Sequence, residues 1–435
     1  MNTAQGVFQM MQPRATALAL GALAVAAIFA ARANSQQPMS WDEVKTRFLA
    51  NNPVLGADAV SVEEMKAAET TAYLRPNPQY TISTDGTQMA PHNGVWTPTS
   101  STQLQNQITY LHERERKREL RLESAKEGTQ IAGSEHEDLR RTLLFTLRAA
   151  FISTLQAKRI YELSQADLEY YDKIIAISRA RLKAGDLAQI DLDRIELLRA
   201  QYESEMQTAL VNLRTAKIQL LQLLDEHTPV GQFDVAGSYD WQAGFDSLEN
   251  YRKLALENRP DLDAALEAVR QSQTNYKLAK ANGSTDPTFG IWHTYNPSFN
   301  NPNAINTLGL SVNVPLRIFD RNQGEKQRTK LDMDRARKAA EAANAQVFSD
   351  VDSAYEQVRS SVELLKPYKE KYNEQALRVR DTVTYAYEHG GASLMDFLNA
   401  QGDYRTVQLA YVQLVGAYLT AAAQLNMAVG HEVIQ

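Results

Sequence analysis

The sequence predicts a mainly α protein with a small β-barrel. Long helices form an α-barrel joined to a transmembrane barrel of four strands per chain, and the whole is internally duplicated. Three observations predict this. One unit recurs at a near-constant offset, short stretches in each unit alternate with the period of a strand, and proline-free helical runs far exceed the usual helix length.

The repeat sets the frame. Asn51-Asn52-Pro53-Val54-Leu55 matches Asn258-Arg259-Pro260-Asp261-Leu262 at an offset of 207, where Leu49 also pairs with Leu256, Ala57 with Ala264 and Ala72 with Ala279. Asn77-Pro78-Gln79-Tyr80 matches Asp286-Pro287-Thr288-Phe289. Far downstream, Gly185-Asp186-Leu187-Ala188-Gln189-Ile190-Asp191 corresponds to Gly390-Gly391-Ala392-Ser393-Leu394-Met395-Asp396 at an offset of 205. The expected organisation is a signal peptide at 1–33, a first structural repeat at 34–225, a connector at 226–248, a second repeat at 249–430 and a C-terminal tail at 431–435. The connector holds Pro229, Gly231, Gly237 and Gly244, residues that break regular elements.

Each repeat opens with a short helix, the first with Ser40 as N-cap ahead of Asp42 and Glu43. Pro53 and Pro260 then start second helices that end near Pro76 and Gly283. Gln79 to Ser83 and Thr288 to Trp292 are β-prone, and the Asn-, Pro-, Gly- and Ser-rich stretches after them read as loops. Leu308 to Val314 alternates strictly, and Leu104 to Tyr110 alternates except at Asn106. Period two gives one apolar and one polar face. By periodicity alone a soluble sheet is the commoner source of that pattern, and a barrel with a polar lumen and lipid-facing apolar side chains also produces it.

The remaining helices are long. No proline interrupts Arg114 to Lys183, and only Pro367 interrupts Arg321 to His389. At 1.5 Å per residue these are rods of roughly 100 Å, where a globular helix averages about 11–12 residues. Ala188 to Leu224 and Ser393 to Val429 follow, each roughly 55 Å long. Their stripes run through Ile195, Leu198, Tyr202, Met206, Ala209, Leu213, Ala216, Leu220 and Leu224, and through Ala400, Asp403, Val407, Tyr411, Leu414, Tyr418, Ala421, Leu425 and Val429, with a spacing close to that of a straight helix. In each repeat the two shorter helices end to end nearly match the long one, so each repeat yields two rods of equal length and two strands. Four strands cannot close a barrel with a lumen, whereas three chains supply twelve.

Composition bounds the setting. Met1 to Ala33 has no acid and no lysine, carries an apolar run from Ala15 to Ala31, and ends Ala31-Arg32-Ala33. This reads as a secretory signal cleaved after Ala33 rather than as a membrane anchor. Without Arg14 and Arg32, 44 of the 46 lysines and arginines face 52 acids, a net charge of −8 that argues against nucleic acid as the main partner. With no cysteine, an exported chain must be held by packing or oligomerisation. Beyond the signal no apolar helical span is expected, so a membrane crossing would use strands in a closed barrel.

With these features in place, the mature chain resembles the outer-membrane efflux (TolC-like) family along essentially its whole length. The Gly-x5-Asp tip motif, present twice as Gly185/Asp191 and Gly390/Asp396 ahead of alanine-rich helices, carries the resemblance most specifically. The strand exit Val312-Asn313-Val314-Pro315-Leu316-Arg317-Ile318-Phe319-Asp320 adds to it. The resemblance implies a homotrimer with a twelve-stranded barrel among outer-membrane lipid. It also implies a helical tunnel into the periplasm, a periplasmic adaptor protein and an inner-membrane pump. At the periplasmic tip, Tyr387 matches the family's gate tyrosine and Asp191 its carboxylate partner, while Asp396 matches a pore carboxylate that three copies would turn into an acidic ring. Ala392 stands where a gate arginine is expected and Asn399 where a second ring acid is expected. The first strand exit lacks the usual glycine and reads Glu113-Arg114-Glu115-Arg116-Lys117-Arg118.

No P-loop, nucleophile elbow or metal-ligand cluster is present in the sequence, so neither enzyme activity nor a cofactor is expected. Two functions remain: the exit duct of a tripartite efflux or type I secretion system, and a soluble periplasmic coiled-coil adaptor or scaffold. The doubled unit with four strands favours the duct, because an adaptor typically has one helical hairpin and no duplication.

Overall fold

The computed structural model describes residues 38–297 and 304–434. The expected signal peptide lies outside the described residues, as does the middle of the second strand-to-strand loop. In chain order the elements are α1 (Trp41–Asn51), α2 (Pro53–Tyr73), β1 (Gln79–Asp85), β2 (Gln103–Leu111), α3 (Lys117–Ala184) and α4 (Gln189–Leu223). After the connector come α5 (Leu248–Asn258), α6 (Pro260–Asn282), β3 (Thr288–Tyr295), β4 (Asn306–Asn313), α7 (Gln323–Pro367), α8 (Asn373–Glu388) and α9 (Leu394–Val429).

The caps follow from sequence. Asn52 accepts hydrogen bonds from the Val54 and Leu55 N–H groups and Pro53 opens α2, an arrangement that supplies an acceptor where a helix start has unpaired donors. Ser40 and Glu43 bond reciprocally ahead of α1. The helix α3 starts at Lys117 rather than at Arg114 because Glu115 and Arg116 both have left-handed backbones, φ 57° and 56°. Pro367 closes α7 without ending the rod. A proline has no N–H and its ring crowds the carbonyl one turn back, and Tyr368–Tyr372 absorb the mismatch as a single π-helical turn before α8 resumes. The strands exceed expectation, β1 reaching Asp85 and β3 reaching Tyr295.

The chain divides into two compact units whose borders cut through α3. They therefore cross the sequence repeats rather than coincide with them. The first unit holds residues 38–50 and 150–239. In it the last part of α3 and α4 form a hairpin, with Tyr171 stacked on Tyr202 at 4.5 Å and Arg199 paired with Asp172. The α4 stripe is buried at Ile195, Tyr202, Ala209, Leu213, Ala216 and Leu220, as its period requires. The connector is tied to this hairpin through Asp234, which receives Lys158 at 2.6 Å and Lys217 at 3.0 Å. Met39 and Val235 form a parallel β-bridge beside it.

The second unit holds residues 51–149 and 240–434. Its strands make one antiparallel sheet in the order β1-β2-β3-β4. The helix α7 packs against α6, α9 and α5, around Val347, Val351, Ala354, Leu425 and Val429. The charged node of this packing is Arg259. It is 3% exposed and donates to Asp261 at 2.5 and 2.9 Å, to Asp350 at 2.8 Å and to the Ala428 carbonyl. One expectation is corrected here: α9 is long and apolar enough to cross a membrane by length and composition. Its charged residues, Asp396, Asp403 and Arg405, sit in its first third, and more than half of its apolar stretch is buried in the fold. At Asp403 the expected α9 stripe meets solvent instead.

Candidate functional site

Two regions carry the chemistry, the sheet and the helical tips. Strand alternation and the observed register together sort the sheet's side chains into two faces. Tyr80, Ile108, Ile291 and Leu310 make one cross-strand row, and Tyr110, Phe289 and Val312 make the next. This face is apolar and open. Leu308 and Leu310 are 71% and 81% exposed, and Tyr80, Ile82, Phe289 and Val312 are exposed as well. The opposite face carries Gln79, Thr81, Ser83, Gln105, Gln107, Thr109, Thr294, Thr307 and Ser311, with Trp292 and, at the end of β2, Leu111 as its large apolar members. Trp292 lies flat over Gly309, where a side chain would collide with the indole. The break at Asn106 falls on the apolar face, where Asn106 accepts a hydrogen bond from the Tyr80 hydroxyl at 2.8 Å and stands opposite His293.

At the tips, Gly185 and Gly390 end α3 and α8 with φ of 83° and 76°, a conformation that a Cβ disfavours. Asp191 lies in the first turn of α4, half-buried, in the first unit. There a carboxylate complements the positive end of the helix dipole. Tyr387, Gly390 and Asp396 come together at the α8–α9 turn of the second unit. Tyr387 is buried, and its ring stacks on Phe397 at 4.8 Å. Asp396 closes a capping box: its carboxylate accepts from the Ser393 N–H at 3.2 Å and hydroxyl at 2.7 Å, while the Ser393 hydroxyl accepts from the Asp396 N–H. Its carboxylate is exposed. Deeper in the hairpin, Gln401 donates to Thr384 at 3.2 Å.

The sequence singles out Tyr387 and Asp396 but not Phe397 and Ser393, the residues that contact them in the structure. Ser393-Leu394-Met395-Asp396 is a legible capping-box pattern. The Tyr387–Phe397 stack depends on the rotation of two helices about each other, which no single-helix pattern encodes. Among the described residues, no group of three His, Asp or Glu is placed to hold a metal ion.

The comparisons with known proteins agree with this geometry. The family model described as outer membrane efflux protein matches residues 251–431. The cobalt-zinc-cadmium resistance protein CzcC of Cupriavidus metallidurans is 23% identical over 397 residues, covering 90% of each chain. Nodulation protein T of Rhizobium leguminosarum is 24% identical over 71% of this chain and 67% of its own length. Among solved structures, CusC superposes with a TM-score of 0.75 at 15% identity, covering 91% of this chain and 95% of CusC. The outer membrane protein VceC of Vibrio cholerae gives 0.73 at 15% identity, covering 90% and 96%. The second half of the chain thus matches the outer membrane efflux protein model, and the chain as a whole shares the fold of solved outer-membrane channels.

Proposed function

We propose that three copies of this chain form an outer-membrane channel-tunnel, the exit duct of a tripartite efflux or type I secretion system. In this reading each copy gives four strands to a twelve-stranded barrel, and its helices line a periplasmic tunnel that opens at its tip. A periplasmic adaptor and an inner-membrane pump complete the path. The two sequence repeats are duplicated structural units, each giving two strands and two rods.

The single observation that carries the reading is the two-faced sheet. A row of exposed leucine, isoleucine and aromatic side chains lies on one face and glutamine, threonine and serine on the other. In water that apolar face would be costly, at roughly 25 cal/mol per Å² left exposed. In a bilayer it is the surface a barrel needs. Equivalent carbonyls support the duplication: Ala279 accepts from Asn322, the residue that precedes α7, and its repeat counterpart Ala72 accepts from Arg121 of α3.

Purified protein reconstituted in planar bilayers tests the reading. It should conduct, and Asp191→Ala or Tyr387→Phe should raise single-channel conductance, because a tyrosine–carboxylate hydrogen bond between tips would hold the duct closed. Unchanged conductance in both variants removes that link. Recovery of the wild type as a soluble monomer without detergent would instead support the adaptor reading.

A further inference from the structure

The chain returns from the sheet to its helices twice, after β2 and after β4, and the two exits differ in chemistry. After β2 comes His112-Glu113-Arg114-Glu115-Arg116, polar throughout. After β4 comes Val314-Pro315-Leu316-Arg317-Ile318-Phe319-Asp320-Arg321, in which apolar residues are interleaved with arginines. We propose that this second exit is a docking site for an anionic phospholipid, with Leu316, Ile318 and Phe319 among the acyl chains and Arg317 and Arg321 on the headgroup phosphate. This inference rests on the barrel reading above, which turns the helix side of the sheet toward the periplasmic leaflet, and it names the lipid chemistry selected there.

The apolar side chains set the depth. Leu316, Ile318 and Phe319 are 79%, 62% and 89% exposed. Leu308, Leu310 and Val312 form the exposed apolar row of β4, and Val314 and Leu316 continue its period of two past the strand end. From Leu308 to Leu316 is ~26 Å of extended chain. In a barrel whose strands tilt by about 40° that is ~20 Å of height, close to an apolar band about 25 Å tall. Arg317 therefore follows where the acyl region gives way to headgroups. Arginine is attracted to an anionic leaflet surface, and its planar fork fits phosphate.

The loop is held in shape before any lipid arrives. The Ile318 N–H donates to the Leu316 carbonyl at 2.9 Å, the Arg321 Nε to the Arg317 carbonyl at 3.2 Å, and Gln323 to the Phe319 carbonyl at 3.1 Å. Asn322 ties the loop to the Ala279 carbonyl of α6 at 2.8 Å. A preformed loop gives up little freedom on binding.

The arginines also lack an anionic partner. Asp320, the one acid of the segment, accepts from the Asn322 N–H at 2.8 Å. Among the described residues no carboxylate pairs with Arg317 or Arg321, whereas at the β2 exit Glu113 pairs with Arg121 and Asp286 with Lys117. Arg317 is half-buried, and its Nε has no hydrogen-bond partner among those residues. It is an unmet donor of the kind a phosphate oxygen takes. A second copy would meet this exit with the stretch that leads into its own edge strand β1. That stretch, residues 70–78, includes Tyr73, Leu74 and Arg75 but no acid, so it leaves the positive charge unmet.

The test counts lipids on the full-length protein. Purified wild type in detergent is mixed with equal amounts of phosphatidylglycerol and phosphatidylcholine, and the bound lipids are identified by native mass spectrometry. The site predicts a preference for phosphatidylglycerol of at least about tenfold, lowered about fivefold by R317Q or R321Q and removed by both together. R114Q/R116Q at the β2 exit should leave the preference intact, because those arginines have no apolar anchor beside them. An equal loss in R114Q/R116Q would show a general attraction of charge and overturn the assignment to the β4 exit. Displacement of phosphatidylglycerol by inorganic phosphate would show a free-anion site and overturn lipid docking. F319C, the sole cysteine in such a chain, shows what covers the segment. In vesicles it should react with a lipid-soluble maleimide, and protection from lipid-soluble and water-soluble maleimides alike would show a second copy covering it and overturn the proposal. Absence of any lipid preference in protein that still sediments as a trimer would overturn the lipid site alone. Recovery as a soluble monomer without detergent would overturn the site together with the barrel reading.

Discussion

At the residue scale, stability concentrates in a few paired charges. Arg259 is buried and shared between Asp261 and Asp350. Removing one member of such a group strands the others, at a cost of about 3–5 kcal/mol. Arg259→Met should therefore lower the unfolding free energy from chemical denaturation by an amount of that order, whereas Arg380→Met at the exposed Asp381 pair should change it by under about 1 kcal/mol. Burial raises the pKa of Asp234 and Asp261, but hydrogen bonds from Lys158 and Lys217, and from Arg259, outweigh it and hold both carboxyls below the usual carboxylate range. A carboxylate whose pKa is depressed on folding contributes stability above its unfolded value, about 4, and loses it as pH falls through the folded value. Thermal stability should thus drop below about pH 4, and Asp234→Asn should flatten that acid limb when melting is followed across pH. Asp396 is the residue where structure and transport are most easily confused. Asp396→Ala should remove the capping box, costing about 1 kcal/mol, and weaken divalent-cation block of the channel. Asp396→Glu keeps both the charge and a capping acceptor and should restore both readouts. Block that stays at wild-type concentration in Asp396→Ala would count against the acidic ring.

At the element scale, much of the fold is legible because each element has one dominant signal. Alternation at Leu308 to Val314 names a strand and its two faces. The α4 stripe, read at a helical period, is buried at Ile195, Tyr202, Ala209, Leu213, Ala216, Leu220 and Leu224 and half-buried at Leu198 and Met206. The Gly185 and Gly390 turns fall where left-handed glycines end the rods. What was not legible depends on contacts between elements. The left-handed pair Glu115–Arg116 is held where the Arg114 N–H meets Asp286 and Lys117 meets Ser284 and Asp286, across about 170 residues of chain. The exposure of Asp403 and the stacking of Tyr387 on Phe397 follow from how the helices face one another, not from their own periods. Gly309 gives the sharpest prediction at this scale. A methyl group there meets the Trp292 ring, so Gly309→Ala should cost about 1–3 kcal/mol by overpacking and lower the melting temperature of the assembled protein. Trp292→Ala in the same chain should relieve part of that loss.

At the scale of the whole molecule, the account stands or falls on the sheet. In the proposed duct the same four strands would give a membrane its apolar surface and a conduit its polar lining. A charge on the lipid side of a barrel costs roughly 2–4 kcal/mol near mid-membrane, whereas one on the lumen side tunes conduction. Leu310→Arg should therefore reduce the heat-resistant assembled form recovered from outer membranes, and Ser311→Arg should leave assembly intact while changing ion selectivity. The most direct test of the two-faced sheet uses the absence of cysteine. A single fluorophore is attached at Leu310→Cys or at Ser311→Cys in protein reconstituted into vesicles, and its quenching by spin-labelled lipid is compared with quenching by iodide in the water. The account predicts that position 310 is quenched by lipid and shielded from iodide, and that position 311 shows the reverse. Iodide quenching of both positions, with lipid quenching of neither, would contradict it.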